Sequence, residues 1–159
     1  MKIIASILLI FSLQSCMSQE TTKVSKKDAY KIVKTDSEWK QVLSAKEYYV
    51  LRESGTEQAF SSPLNSNNKK GTYVCAACKT PLFKSDNKFD SGTGWPSFDK
   101  EIEGNVAYTK EGSSAYYGIE EHCATCGGHL GHVFNDGPKN TTGKRHCING
   151  VALDFIPNP

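Results

Sequence analysis

The sequence has little net charge, only two methionines and no low-complexity segment. Its 159 residues carry 19 Lys plus Arg against 17 Asp plus Glu, which leaves a formal net charge of +2. Basic residues do not form a stripe interleaved with aromatic residues, so a nucleic-acid partner is not expected. No internal repeat is present apart from two CxxC pairs. The length suits one ordinary domain, a monomer by expectation, and a hydrophobic content of 38% is enough for a core.

An apolar run opens the chain, but it is too short to cross a bilayer as a stable helix. It follows Met1-Lys2 and ends in Leu13-Gln14-Ser15-Cys16. Residues 1–15 resemble a bacterial lipoprotein signal, with cleavage before Cys16 and lipid on its thiol; residues 16–34 then form a polar tether. This predicts export to the bacterial cell envelope and a lipid anchor in a membrane, facing the periplasm or the exterior. An ordinary cleaved signal peptide with Cys16 incidental is the alternative, and it also implies export.

The remainder, 35–159, is predicted to be one mainly β domain with a short helical preface. Capping boxes at Thr35-Asp36-Ser37-Glu38 and Ser44-Ala45-Lys46-Glu47 predict two short helices, the second ending at Gly55 in the left-handed conformation. From residue 71 onward, short Val-, Tyr-, Phe- and Thr-rich segments alternate with turn residues, which is typical of antiparallel strands. The predicted strands are 72–75, 105–109, 115–120, 130–134 and 145–155.

Four of the six cysteines form two pairs, Cys75 with Cys78 and Cys123 with Cys126. Two CxxC pairs can close a tetrahedron of thiolates around one Zn²⁺, and four sulfurs leave no open position, so the predicted site is structural. The long segment between the pairs indicates that they sit on separate hairpins. Two disulfides are the competing interpretation, which export would permit.

Cys147 stands apart from these pairs, in the run 145–155. If that run is one strand, Arg145, Cys147 and Asn149 share a face with the apolar residues that follow, while His146 and Ile148 face away. A lone cysteine is often an inert small hydrophobe. The cation and amide on its face instead favour a reactive thiolate. His129 and His132, which follow the second CxxC pair, are candidate proton donors near neutral pH.

An aromatic residue in a turn-rich loop supplies a possible substrate wall. Trp95 lies in Ser91-Gly92-Thr93-Gly94-Trp95-Pro96-Ser97-Phe98. Glycines on both sides of Thr93 and a proline after Trp95 suggest an indole presented at the surface, whereas Phe98 is expected in the core.

Together, the CxxC, GTGWPSF, CxxCGGHLGHVFNDGP and RHCING motifs closely resemble methionine-R-sulfoxide reductase B over roughly residues 35 to 156. The resemblance implies two antiparallel β-sheets packed as a sandwich or open barrel, a structural zinc, and reduction of methionine R-sulfoxide in oxidised proteins or peptides. It further implies that Cys147 is the nucleophile and that His132 donates the proton, with support from His129 and Asn149. Arg145 would tune the thiolate, and Trp95 and Phe134 would enclose the methyl group of the substrate.

One position departs from part of that family, in which a resolving cysteine occupies the loop at Thr93. With four cysteines assigned to zinc and Cys16 to the signal, no intramolecular disulfide to Cys147 is expected. An external thiol, from a thioredoxin-like partner or a small molecule, is then needed to reduce the Cys147 sulfenic acid. Two other functions stay open: a catalytically inert, zinc-stabilised binding module, and a Cys-His hydrolase, for which no nucleophile-elbow motif is present.

Overall fold

The computed structural model describes residues 30–114 and 118–159, without the side chains of 110–114. The predicted signal, Cys16 and most of the tether lie outside the described residues. Within the described part, no helix combines the length and the apolar character needed to cross a membrane.

Two short helices precede the sheets, α1 at Asp36–Val42 and α2 at Ala45–Glu53. Both predicted capping boxes are confirmed, since Thr35 and Ser44 each exchange hydrogen bonds with the glutamate three residues later. The prediction that Gly55 is the left-handed stop is wrong, because Ser54 adopts that conformation (φ 55°). Gly55 serves for close packing instead: a Cβ there would lie 2.3 Å from the Tyr49 ring.

Within residues 30–114 and 118–159, nine strands form two antiparallel sheets, which confirms the predicted fold class. The three-stranded sheet has the order β2-β1-β9, and the six-stranded sheet has the order β3-β4-β8-β7-β6-β5. The strands are β1 Gly71–Cys75, β2 Pro81–Lys84, β3 Lys88–Phe89, β4 Ser97–Phe98, β5 Val106–Ser114, β6 Gly118–Cys123, β7 His129–Phe134, β8 Arg145–Ile148 and β9 Leu153–Pro157.

The predicted single strand over 145–155 is wrong. β8 and β9 belong to different sheets, and a 3-10 turn at Gly150–Ala152 separates them. The extended backbone ends after Asn149 because the Gly150 and Val151 N–H groups donate to the Glu57 carboxylate, at 2.5 and 3.0 Å, and the Ala152 N–H donates to the Asn149 carbonyl at 3.0 Å. The alternation of side chains therefore extends from Arg145 only as far as Asn149. Sequence analysis also missed β2, β3 and β4, and residues 115–117 of one predicted strand lie outside the described residues.

The core lies between the sheets and is rich in aromatic side chains. Phe83 stacks on Phe98 with ring centroids 4.4 Å apart, and Tyr73 meets Phe98 edge-on at 4.9 Å. Phe98 is fully buried, as predicted. His146, on β8, packs against Phe83 on this inner side. Because side chains alternate along a strand, Cys147 faces the opposite side of the six-stranded sheet.

Candidate active site and metal cluster

Cys147 lines a small cleft of about 110 Å³ on the outer face of the six-stranded sheet. The cleft brings together most of the predicted site residues. Its lining comprises Thr56, Trp95, Gly131, His132, Phe134, Cys147 and Asn149. Such a volume fits the end of one side chain rather than a whole ligand.

Strand register explains why these side chains meet. β7 pairs with β8 so that His132 is opposite Cys147 and Phe134 is opposite Arg145. Directly paired residues on one face of an antiparallel pair have neighbouring Cβ atoms, so the imidazole and the thiol face the same cleft. Gly131, the residue before His132, permits close approach of β7 and β8, since a Cβ there would lie 2.0 Å from the Cys147 carbonyl oxygen.

Burial and two neighbouring side chains shift the pKa of the Cys147 thiol. Burial raises its pKa, and the Thr93 hydroxyl and the Arg145 guanidinium oppose that shift. The Thr93 Oγ1 lies 3.9 Å from the Cys147 Sγ. The Arg145 charge is shared, because its Nε and Nη2 donate to both Asp136 carboxylate oxygens at 2.8 and 2.9 Å while the guanidinium stacks 4.3 Å from the Phe134 ring.

The two predicted histidines occupy different positions. His132 lines the cleft, and burial together with the neighbouring His129 lowers its pKa. His129 is only 4% exposed and lies outside the Cys147 cleft, with its Nδ1 2.8 Å from a Glu120 carboxylate oxygen. Its ring centroid is 5.5 Å from that of His132. His129 is thus placed to influence His132 rather than a molecule in the cleft.

Asn149 and Trp95 are fixed by a residue that the sequence did not single out, Glu57. The Glu57 backbone N–H donates to Asn149 Oδ1 at 2.9 Å, and its carbonyl accepts from the Trp95 indole N–H at 3.2 Å. Asn149 uses one of its two amide N–H groups on Leu130 and is 4% exposed at the cleft wall. Both walls of the cleft are therefore tied to one loop residue.

The four paired cysteines form a second cluster, separate from the cleft. As predicted, the pairs lie on different hairpins: Cys75 and Cys78 connect β1 to β2, and Cys123 and Cys126 connect β6 to β7. The two turns match, since the residue after each pair, Lys79 or Gly127, has positive φ and donates its N–H to the carbonyl of the first cysteine. The cluster joins the two sheets.

The sulfur spacing fits a metal ion and not a disulfide. All four Sγ atoms lie within 4.8 Å of one another, with Cys75 to Cys126 at 3.8 Å and Cys78 to Cys123 at 3.5 Å. A regular tetrahedron with ligand distances of about 2.3 Å has edges of about 3.8 Å, whereas a disulfide requires about 2.05 Å. None of the five described cysteines forms a disulfide. The four could therefore bind one metal ion.

Comparison with known proteins gives the family. The SelR domain matches residues 43–157. The chain belongs to the SelR domain family. It is 53% identical to the peptide methionine sulfoxide reductase MsrB of Methanosarcina barkeri, over 78% of this chain and 87% of the relative. It is 50% identical to the protein of the same name from Leptospira interrogans, over 79% and 96%. It is 47% identical to the protein of that name from Agrobacterium fabrum, over 80% of this chain and 94% of the relative.

As a member of the SelR domain family, the chain is an oxidoreductase. The matched segment contains both the Cys147 cleft and the four clustered cysteines. It also contains three residues that sequence analysis missed: Thr56 at the cleft wall, Glu57 behind it and Asp136 beside Arg145. Thr56 and Glu57 lie in a loop without apolar periodicity, so no local pattern indicated them. Asp136, in the quoted FNDGP motif, could have been suspected as a partner for the cation.

Proposed function

We propose that this protein reduces the R epimer of methionine sulfoxide in peptides or proteins and that Cys147 is the nucleophile. The observation that carries the proposal is the meeting of Cys147, His132, Trp95, Phe134 and Asn149 in one cleft, in a chain of the SelR domain family. The thiol, the imidazole, the amide and the aromatic rings each supply a part of sulfoxide reduction.

The first step transfers oxygen from the substrate to the enzyme. The Cys147 thiolate attacks the sulfoxide sulfur, and the sulfur–oxygen bond breaks as the oxygen takes up a proton. In net terms, a sulfoxide and a thiol give a thioether and a Cys147 sulfenic acid, so the substrate sulfur is reduced and the enzyme sulfur is oxidised. Oxygen leaves poorly without a proton, so an acid within reach is required.

His132 is the proposed acid. It lines the cleft on the strand paired with Cys147, so one bound oxygen atom can contact both the imidazole and the sulfur. A lowered pKa makes the imidazolium a stronger acid, although it is less populated at neutral pH. The proposed role of His129, through Glu120, is to orient its neighbour. Asn149 then offers an N–H to the sulfoxide oxygen, and Arg145 favours the thiolate.

The apolar end of the substrate is proposed to lie against aromatic rings. Trp95 and Phe134 line the cleft together, and the Trp95 indole is oriented by its hydrogen bond to the Glu57 carbonyl. Rings fixed in this way can enclose an S-methyl group while the sulfoxide oxygen points to His132 and Asn149. Such opposed walls distinguish the two arrangements of oxygen and methyl around sulfur, which is the basis for selecting one epimer.

Regeneration is proposed to use an external thiol. Thr93, not a cysteine, is the loop residue next to Cys147, and the other four described cysteines form the metal cluster. One external thiol displaces water from the sulfenic acid and forms a mixed disulfide, and a second releases Cys147 as a thiol. A thioredoxin-like protein or a small thiol supplies both equivalents.

The metal is proposed to be one structural Zn²⁺ held by Cys75, Cys78, Cys123 and Cys126. All-thiolate donors suit zinc, and four protein ligands leave no position for substrate. The ion would hold the β1–β2 hairpin against the β6–β7 hairpin. The strand that carries His132 begins directly after that second hairpin turn, so the cluster would steady the catalytic face.

The deciding experiment is incubation of the purified protein with R- and S-sulfoxides of an N-acetylated methionine, with dithiothreitol as reductant. We expect turnover of the R form alone, and loss of turnover in Cys147→Ser with metal content unchanged. No turnover of either epimer by metal-loaded protein would favour the inert binding module. Ester or amide hydrolysis lost in the same variant would favour the hydrolase.

Export and anchoring are proposed from the sequence alone. Cys16 and the apolar run before it suit a lipid-modified N-terminus, and two or three acyl chains would bind a domain firmly to a membrane. The test is the mass of the mature N-terminus and the membrane fraction of wild type against Cys16→Ser. An intact Met1 on the soluble protein would contradict the proposal.

A further inference from the structure

Three side-chain hydroxyls form a row that ends at the Cys147 sulfur. Ser97, which is fully buried and pairs with Cys147 across β4 and β8, begins the row. Its Oγ lies 2.7 Å from the Ser91 Oγ, which lies 2.8 Å from the Thr93 Oγ1. The Thr93 Oγ1 is the atom 3.9 Å from the Cys147 Sγ. The row therefore connects the reacting sulfur to the interior of the loop.

The loop holds these hydroxyls in place before any ligand binds. Gly92 and Gly94, on either side of Thr93, both have positive φ, at 71° and 93°. The Gly92 N–H donates to the Asp90 carboxylate at 2.9 Å, and the Gly94 carbonyl accepts from the Phe60 N–H at 2.8 Å. Because both sides of Thr93 are bonded, its hydroxyl is aimed at Cys147 by the backbone.

The direction of hydrogen bonding in this row follows from counting protons. Each hydroxyl has one hydrogen to donate and two lone pairs that accept. At the far end, the Ser97 hydroxyl lies 3.1 Å from the Trp95 carbonyl, which can only accept. When Cys147 is a thiol, its S–H can donate to Thr93, and every hydroxyl along the row then donates away from the sulfur, ending at Trp95.

A thiolate reverses that order, because it has no hydrogen and can only accept. Thr93 then donates to the sulfur, Ser91 donates to Thr93 and Ser97 donates to Ser91. The change requires rotation about three C–O bonds and the loss of the bond from Ser97 to the Trp95 carbonyl. Hydrogen bonds in such a row polarise one another, so the donation from Thr93 is strengthened by the two serines behind it.

We infer that Thr93 is a catalytic residue: as the last member of a reversible hydroxyl row, it donates to the Cys147 thiolate and stabilises the reactive form. The inference rests on the proposed function only in taking Cys147 as the nucleophile. It also explains how a partly buried thiol can react although the Arg145 charge is shared with Asp136. A local hydroxyl donor compensates in part for the water that burial removes.

The test is the rate at which iodoacetamide alkylates Cys147 in the full-length, metal-loaded protein, measured by peptide mass spectrometry across a range of pH. Only the thiolate reacts. Thr93→Val keeps the shape of the side chain and removes its donor, so below the midpoint of the titration we expect the rate to fall about tenfold, the equivalent of one pKa unit. Thr93→Ser should stay within about threefold of wild type, since it keeps the hydroxyl.

Two further variants separate the row from general effects on the loop. Ser91→Ala shortens the row behind Thr93 and should slow alkylation in the same direction but less. Thr141→Val removes an exposed hydroxyl that donates to the Pro138 carbonyl, and should leave the rate unchanged. Circular dichroism and metal content confirm that each variant is folded.

A Thr93→Val profile identical to wild type would overturn the inference, and so would Thr93→Ser as slow as Thr93→Val. An unchanged Ser91→Ala rate would likewise refute the row. Alkylation requires no sulfoxide, so these results do not depend on reductase turnover. If wild type failed to reduce sulfoxides while Thr93→Val still slowed alkylation, the proposed function would be wrong and the hydroxyl row would remain supported.

Discussion

Glu57→Gln is the substitution that most directly tests how the cleft is held. The Glu57 carboxylate accepts two backbone N–H groups, from Gly150 through Oε1 at 2.5 Å and from Val151 through Oε2 at 3.0 Å. These are the first two residues of the 3-10 turn that follows Asn149. The Glu57 backbone meanwhile bonds Asn149 and Trp95. One residue thus connects both cleft walls to the point where β8 ends.

The expected cost follows from what the amide removes. Glutamine keeps one accepting oxygen and places an NH₂ group, which cannot accept, against the second backbone N–H. A hydrogen bond to a charged group contributes about 1.5–3 kcal/mol and a neutral one about 1 kcal/mol. Since Glu57 is half-buried, the lower figures apply, and we expect the free energy of unfolding to fall by about 2 kcal/mol.

Two measurements check this expectation. Denaturant unfolding of metal-loaded protein gives the loss of stability, with Glu103→Gln, an exposed glutamate, as control and an expected change below about 0.5 kcal/mol. Steady-state reduction of R-sulfoxide should show kcat/KM lower by about tenfold or more, because small misplacements of positioning groups reduce rates strongly. Unchanged unfolding would refute the hydrogen-bond reasoning. Lost stability with unchanged kcat/KM would refute the positioning role.

Four further outcomes are expected. The pKa of His132 is lowered and that of Cys147 is raised, so between these two pKa values the imidazolium fraction falls with pH while the thiolate fraction rises. The single-turnover reduction rate should therefore be nearly flat over that pH range and fall at lower and at higher pH. His132→Ala should lose about 10²–10⁴-fold and instead rise with pH up to the Cys147 pKa; a single-turnover rate within about threefold of wild type would refute its role as acid. Removal of the metal by a chelator, or the substitution Cys75→Ser, should lower the melting temperature by at least about 10 °C. Cys147→Ser should keep one metal ion per chain. Equal metal loss in Cys75→Ser and Cys147→Ser would contradict separate sites. Thr93→Cys should form a disulfide with Cys147 after one turnover. In wild type, mass spectrometry should show a Cys147 sulfenic acid and no internal disulfide. A disulfide in wild type would disprove regeneration by an external thiol alone.

Features determined by nearby residues were predictable from the sequence. Each capping box joins residues three apart, so both helix starts were predicted correctly. The two CxxC pairs indicated their hairpins because the chemistry needs that spacing. By contrast, β3 and β4 have two residues each, too few to show any periodicity.

Features determined by distant contacts were not predictable. The break after β8 depends on Gly150 and Val151 bonding Glu57, and Glu57 also bonds Asn149, which is 92 positions away. The strand alternation that placed Arg145 and Cys147 on one face was correct for β8, but it did not predict that β8 ends at Ile148.

The position of Cys147 in the middle of its sheet has a consequence for whatever regenerates it. β8 is hydrogen-bonded to β4 on one edge and to β7 on the other, so the oxidised sulfur cannot swing outward on a flexible loop to meet its reductant. Under the proposed function, an electron donor would have to reach the sulfur inside a cleft of about 110 Å³. Small thiols, or a protein whose reactive cysteine projects from a narrow tip, satisfy that steric condition, and a broad flat surface does not.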